Sequence, residues 1–136
     1  MKLLMIYCNR FSYLPKIKTL ENFPDIPEGK TYQNVLVAFI QMEEKDLELP
    51  GKTETKLVKN LKWGAKKNDS RHVILHSFAH LSTSKAPPAE TKEMFDRVEA
   101  RLQNAGYTVA QTPFGYFLDL EVEAPGRSAA RIFLDF

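Results

Sequence analysis

The chain has 136 residues, of which 43% are hydrophobic and 26% are charged, and its net charge is only +2. Such a chain can bury a core and fits one domain over residues 1–136, and its small net charge does not by itself require a nucleic-acid partner. The single cysteine, Cys8, excludes an internal disulfide and a cysteine-rich metal site.

The amino-terminal stretch MKLLMIYC is apolar but short, and Asn9 and Arg10 follow it without a small-residue cleavage pattern. It predicts a buried first strand over 2–8 rather than a signal peptide. No apolar run approaches the length that crosses a bilayer, so we expect no membrane partner. With a single cysteine, a reduced and cytoplasmic setting fits best.

Hydrophobic periodicity predicts strands that alternate with two helices. We expect strands over 2–8, 11–20, 32–42, 71–78, 107–110, 116–123 and 128–134, and helices over 53–67 and about 88–105. Thr53 would cap the first helix, Pro15 would lie at an edge or in a bulge, and the turn 124–127 predicts a hairpin between the last two strands. The expected fold is α/β, with a mixed sheet covered on one face by two main helices.

The first predicted helix carries lysines away from its apolar stripe. These are Lys52, Lys56, Lys59, Lys62 and Lys66. A solvated helix face is the ordinary interpretation of such a pattern. Binding of a phosphate backbone is the alternative.

A polar loop, HSFAHLSTSKAPP, follows an apolar run and precedes a double proline at residues 76–88. Polar groups at strand ends line many α/β clefts, so His80 is a candidate for acid–base work or substrate contact. The alternative, which spacing alone favours, is a histidine hydrogen-bonded within its own loop. His72, His76 and His80 are spaced by four, but in a strand this spacing spreads them over about 26 Å. We therefore expect no metal site and no cofactor.

The segment TPFGYFLDL, residues 112–120, is the second unusual feature. A proline and a glycine flank a phenylalanine, and two further aromatic residues follow. Such a kinked strand entry lets the backbone approach a ligand closely, although a simple bend between strands is the alternative. The sequence predicts a cleft between the 76–85 loop and the 112–118 bend.

Taken together, the two segments resemble the archaeal-type editing domain of threonyl-tRNA synthetase. The motifs that carry the resemblance are Phe78-Ala79-His80-Leu81-Ser82 after a strand and Pro113-Phe114-Gly115-Tyr116 after the following helix. The first strand, the VLVAFI strand and the total length are also similar to that family, so the resemblance covers essentially the whole chain.

The resemblance implies a D-aminoacyl-tRNA deacylase-like fold, usually dimeric, with a pocket for the aminoacylated 3′ end of a tRNA. In the family the reaction is hydrolysis of the ester that joins a wrongly attached serine to threonine tRNA. A synthetase site built for threonine rejects serine weakly, because one missing methyl is worth only about 1–3 kcal/mol. A second site then removes the error with a water positioned by backbone groups and the terminal ribose hydroxyl.

The resemblance implies that His80 and Tyr116 are the catalytic residues. The residues expected to bind the substrate are Cys8, Asn9, Ser82, Pro113, Phe114, Gly115, Phe117, Leu118 and Arg131. Cys8 and Asn9, at the end of the first strand, would line the wall opposite the two motifs.

Two positions depart from the family. Its members usually carry a lysine where this chain has Leu118 and a glutamate where it has Arg131. Three accounts are open: catalysis by backbone and RNA groups alone, replacement of the lost groups by Lys85 or Arg131, or a non-catalytic module that binds aminoacyl-adenosine or joins a synthetase as an accessory subunit. Because the resemblance concerns one domain of a synthetase, we expect either a freestanding protein or a domain of a longer one.

Overall fold

The structure, a computed structural model, describes all residues from 1 to 136. The strands are β1 (Lys2–Lys18), β2 (Lys30–Gln41), β3 (His72–Ser77), β4 (Thr108–Gln111), β5 (Tyr116–Glu123) and β6 (Arg131–Asp135). The helices are α1 (Pro50–Lys67) and α2 (Pro88–Asn104), and short 3-10 turns cover Glu44–Leu47 and Ser128–Ala130. The strands form one sheet in the order β4-β3-β2-β1-β5, and β6 also pairs with β1.

The sheet is mixed. β2, β3 and β4 are parallel, whereas β1 is antiparallel to β2, β5 and β6. Helices α1 and α2 make the two parallel crossovers, and crossovers of the usual right hand in one direction put both helices on the same face of the sheet. This confirms the predicted α/β architecture with two helices on one face. Neither helix is long and apolar enough to cross a membrane.

The larger core cluster lies between the helices and the sheet. The apolar side chains that the two helices bury there are Leu57, Val58, Leu61, Ala65, Met94, Phe95, Val98 and Leu102. Gly64 allows α1 to approach β1 closely, because a Cβ at this position would lie 2.6 Å from the sulfur of Met5. The apolar stripes therefore fix how each helix packs.

The smaller core cluster lies on the opposite face of the sheet. It includes Cys8, Phe11 and Phe39, together with partly buried side chains of β5. In β1 the side-chain alternation changes between Cys8 and Phe11, next to Asn34 of β2, whose φ of 54° is left-handed. This irregularity turns the far half of β1 so that Phe11 joins the second cluster.

Two sequence-based boundaries were wrong. Residues 2–18 form one continuous strand rather than two, although the irregularity predicted at Pro15 is present as a register shift between Pro15 and Ile17. Helix α1 begins at Pro50, not at a Thr53 cap, because proline is well suited to the first helical turn.

The predicted hairpin between the last two strands is also wrong. β5 pairs with residues 10–18 of β1, and β6 pairs with residues 2–6 of the same edge. The two strands therefore follow one another along β1, linked by the 3-10 turn with its buried Ala130. The long β1 offers enough edge for both, so they need not pair with each other.

Candidate functional site

A cavity of about 1020 Å³ opens where β2 and β3 end and β5 begins. The loop after β3, residues 78–80, forms one side, and the segment 113–118 forms the other. The two sequence motifs thus lie on facing walls of a single cavity, as expected from their position at strand ends.

The loop wall carries His80, which is exposed and lines both this cavity and a smaller hollow beside it. Its ring lies 4.9 Å from the ring of Phe78 in an edge contact, and Phe78 in turn contacts Phe39 of the second core cluster. The ring therefore packs on one side, and the exposed residue remains accessible to a ligand.

The backbone of this loop is held by Gln41, the last residue of β2. Its side-chain nitrogen donates to the carbonyls of Ser82 and Ser84 at 2.9 and 2.8 Å, and its oxygen accepts from the amides of Leu81 and Ser82 at 2.7 and 2.8 Å. Gln41 is buried, so these four bonds form away from water and restrain the loop strongly. Gln41 was not among the predicted site residues, although a lone amide at the end of an apolar strand could have indicated it.

The hydroxyl of Ser82, a predicted substrate ligand, is already hydrogen-bonded to other groups of the protein. Its hydroxyl donates to Glu43 at 2.7 Å and accepts from the amide of Ser84 at 3.1 Å. Glu43 also binds the amino-terminal ammonium of Met1 at 2.6 Å and Lys2 at 3.1 Å. Burial alone would raise the pKa of Glu43, but hydrogen bonds from the amino terminus, Ser82 and Lys2 outweigh it and lower the pKa to about 2. Ser82 therefore helps to position the loop and lines the smaller hollow.

The facing wall is held mainly by aromatic and backbone contacts. Phe114 lies between the rings of Phe23 and Phe95, at centroid distances of 4.9 and 6.1 Å. Gly115 has a φ of 83°, and its carbonyl accepts from the amide of Thr19 at 2.7 Å. A Cβ at this glycine would lie 2.9 Å from Leu20, so both the backbone angle and the close approach require glycine.

Tyr116 lines the cavity, and its hydroxyl oxygen accepts a hydrogen bond from the amide of Ile26 at 3.1 Å. This bond ties the loop between β1 and β2 to the start of β5. Thr19 and Leu20, at the beginning of that loop, are also in the cavity wall. Tyr116 therefore both lines the cavity and holds the loop between β1 and β2 beside it.

His76 is a second histidine of the cavity wall, in addition to His80. It is buried, its Nδ1 lies 2.8 Å from the hydroxyl of Thr112, and burial lowers its pKa to about 4. The ring is therefore neutral near pH 7. Because Thr112 precedes Pro113, this bond ties β3 to the facing wall.

The position at which the resemblance led us to expect a lysine is the apolar Leu118. Leu118 lines the cavity near Leu120 and packs against the second core cluster. The charged side chains of the cavity wall, Glu44 and Lys85, are both exposed and both lie on the loop side. The site therefore combines a polar loop wall with an apolar strand wall.

Four of the predicted substrate ligands do not line the cavity: Ser82 lines only the smaller hollow, and the other three lie elsewhere. Cys8 is buried in the second cluster, and burial raises the pKa of its thiol to about 11. Asn9 is exposed at the irregularity in β1. Arg131 is exposed and donates to the carbonyl of Pro125 at 2.7 Å. In contrast, the cavity brings together His80, Pro113, Phe114, Gly115, Tyr116, Phe117 and Leu118.

This arrangement defines an α/β protein with a ligand cavity built from strand ends. The solved structure of the c-Myc DNA Unwinding Element Binding Protein has the same fold, with a TM-score of 0.75 over 100% of this chain and 99% of that chain. The two sequences are only 12% identical, so the likeness concerns the fold alone. It confirms the predicted D-aminoacyl-tRNA deacylase-like fold.

The chain belongs to the family described as the Archaea-specific editing domain of threonyl-tRNA synthetase, whose profile matches residues 1–136. It is similar to the threonine–tRNA ligases of Pyrococcus furiosus and Thermococcus kodakarensis, with 30% and 31% identity over 135 residues. Each match covers 97% of this chain but 22% of the relative, so the chain spans about a fifth of the relatives' length. The resemblance carried by the two motifs is confirmed.

Proposed function

We propose that this domain hydrolyses the ester of a mischarged tRNA, with the aminoacylated 3′ adenosine bound in the cavity between the two motifs. The observation that carries the proposal is the convergence of the motifs of an editing family on one cavity of about 1020 Å³. By family membership the substrate would be a seryl ester on threonine tRNA, and the setting would be cytoplasmic.

In this proposal a water attacks the carbonyl carbon of the ester, the bond to the ribose oxygen breaks, and the ribose oxygen takes up a proton. His80 contacts the substrate or the attacking water, because its ring packs against Phe78 and the residue lines both the cavity and the adjoining hollow. The kinked segment around Gly115 lets the backbone approach the adenosine, and Tyr116 and Phe117 shape that wall. Few side chains are needed, since binding and orientation supply much of the rate.

The test is deacylation of seryl-tRNA(Thr) by the purified protein. We expect release of serine above the spontaneous rate and a loss of about 100-fold in His80→Ala, in the range found for removal of an acid–base or orienting group. His72→Ala is the matched control, because His72 lies at the other end of β3, and it should retain wild-type activity. No release of serine, or of any D-amino acid, by the wild type would contradict the catalytic proposal.

A second candidate is a non-catalytic module that binds aminoacyl-adenosine or serves as an accessory subunit of a synthetase. Leu118 favours it, because an apolar side chain in the cavity can neither hold a water nor meet a substrate amine. Leu118→Lys discriminates between the two. Gain of serine release from an inactive wild type supports the binding module, whereas an active wild type that depends on His80 excludes it.

We also propose that the domain is a homodimer, as the family resemblance implies. Leu14, Ile17 and Phe117 are exposed by 44%, 61% and 55%, and the register of β1 with β5 pairs Ile17 with Phe117. An apolar patch of this kind is typical of an interface between copies. Sedimentation should give a dimer for the wild type and a monomer for Ile17→Ser/Phe117→Ser. A monomeric wild type would contradict the proposal.

A further inference from the structure

Helix α1 carries an exposed stripe of lysines that no acidic side chain neutralises. We name it the lysine stripe. It consists of the five lysines Lys52, Lys56, Lys59, Lys66 and Lys67, with Trp63 in the same row. These residues follow Lys52 at intervals that return to one side of a helix with 3.6 residues per turn. None of the five lysines takes part in an ion pair, although thirteen ion-pair contacts occur elsewhere in the protein.

The stripe lies opposite the face that binds the core. Leu57, Leu61 and Ala65 are buried against the sheet, so the packing of α1 does not use the lysines. The single acid of α1, Glu54, is turned toward α2, where Arg97 and Arg101 bind it at 2.5 and 2.9 Å. Helix α1 therefore concentrates six lysines in a chain whose net charge is only +2.

The stripe begins close in the chain to a residue of the cavity wall. Leu47, in the 3-10 turn that precedes α1, lines the cavity, and Lys52 follows five positions later. From Lys52 to Lys67 the helix rises about 22 Å at 1.5 Å per residue. A ligand whose end occupies the cavity can therefore continue along the stripe.

We propose that the lysine stripe binds the phosphate backbone of the tRNA whose 3′ end enters the cavity; this inference rests on the proposed function. A row of point charges on flexible stems suits phosphates, and it supplies affinity without reading sequence. Trp63 is 44% exposed within the row, and the Nζ of Lys67 lies 5.5 Å from the centroid of its ring. This ring can stack against an unpaired base or a ribose. A membrane surface is disfavoured, because the apolar face that such a helix would insert is already buried.

The first experiment measures binding of unacylated threonine tRNA between 50 and 200 mM salt, conditions chosen to expose counterion release. Lys59→Gln/Lys66→Gln should weaken binding about tenfold and reduce the salt slope by about 1.4–1.8, at 0.7–0.9 per lost phosphate contact. The matched control is Lys16→Gln/Lys30→Gln, which removes two exposed lysines of β1 and β2 and should change the affinity less than about twofold. Equal loss in both variants, or no loss in the stripe variant, would overturn the proposal.

The second experiment uses Trp63, the single tryptophan, as a reporter. Its fluorescence should change on addition of unacylated tRNA, and adenosine alone should leave it unchanged. A response to anionic phospholipid vesicles or to an acidic polypeptide without a response to tRNA would assign the stripe to another partner and overturn the proposal.

A third measurement separates this inference from the proposed function. An aminoacyl-adenosine has no phosphate backbone for the stripe to bind, so Lys59→Gln/Lys66→Gln should hydrolyse it at the wild-type rate. If neither protein hydrolyses it, the catalytic proposal fails while the binding result for unacylated tRNA still decides the stripe.

Discussion

The two walls of the cavity are held by different kinds of interaction. The loop wall that carries His80 is held by a polar network, in which the buried Gln41 makes four hydrogen bonds to the backbone of the loop. The facing wall depends on the ring of Phe114 and on the conformation of Gly115. The loop wall thus has polar groups whose network also holds the loop together, whereas Leu118 belongs to a wall held by apolar packing.

The largest expected effect is at Gln41. Gln41→Ala removes four hydrogen bonds and leaves partly buried amides and carbonyls of the loop unpaired, so the free energy of unfolding should fall by about 2–4 kcal/mol. Urea unfolding measures the loss, and hydrogen exchange should accelerate at the amides of Leu81 and Ser82. Gln33→Ala, an exposed glutamine of the same strand, is the control and should cost less than about 0.5 kcal/mol. Equal costs at both positions would show that the loop wall does not depend on this network.

The next effect is a pH dependence from His76, which joins the two walls. Its pKa is lowered from 6.5 to about 4 in the folded protein, so between these values the unfolded chain binds more protons and stability falls as the pH falls. The shift corresponds to at most about 3 kcal/mol lost between pH 7 and pH 4. His76→Gln should flatten the free energy of unfolding over this window, as measured by urea titration at each pH. An unchanged slope in the variant would assign the pH dependence to other groups.

A smaller effect is expected at Gly115, on the facing wall. Gly115→Ala puts a Cβ 2.9 Å from Leu20 on a backbone with φ of 83°, and should cost about 1–2 kcal/mol of stability. The strained wall should also raise the KM for seryl-tRNA(Thr). Gly126→Ala is matched, because its Cβ meets nothing within 4 Å, and should be nearly neutral. Comparable losses in both variants would count against a special conformation at Gly115.

The smallest effect is expected at Cys8, which neither wall contains. Its thiol is buried and its pKa is raised to about 11, so native protein should react with iodoacetamide far more slowly than unfolded protein at pH 8. Cys8→Ala should leave the deacylation rate unchanged and cost about 1 kcal/mol or less. A change in KM for the aminoacylated tRNA in this variant would restore Cys8 to the site.

Much of the fold, and the sequence motif that forms part of each cavity wall, could be predicted from the sequence. Local patterns determined the apolar stripes of both helices, because periodicity decides which side is buried. The two motifs were recognisable for a similar reason, since His80 and Gly115 lie in short segments whose character depends on immediate neighbours.

The remaining features depend on partners distant in the chain. The pairing of β6 with β1 joins residues more than 120 positions apart, and a local turn signal predicted a hairpin instead. The four bonds of Gln41 reach a loop some forty residues away, and the bond between His76 and Thr112 spans 36 positions. The left-handed backbone of Asn34, next to which β1 changes its alternation, could not be predicted from hydrophobic periodicity either.

The shared edge of β1 has a consequence for biogenesis. β1 precedes every other element of this domain and is synthesised before them, but one of its edges is filled only by residues 116–135. During synthesis this strand of seventeen residues would present an unpaired, largely apolar edge until those late residues emerge. Such long-range pairing slows folding. Until it forms, the unpaired edge of β1 can pair with another nascent chain and lead to association. Recovery of active protein should therefore improve at low translation rates or with a chaperone that covers strand edges.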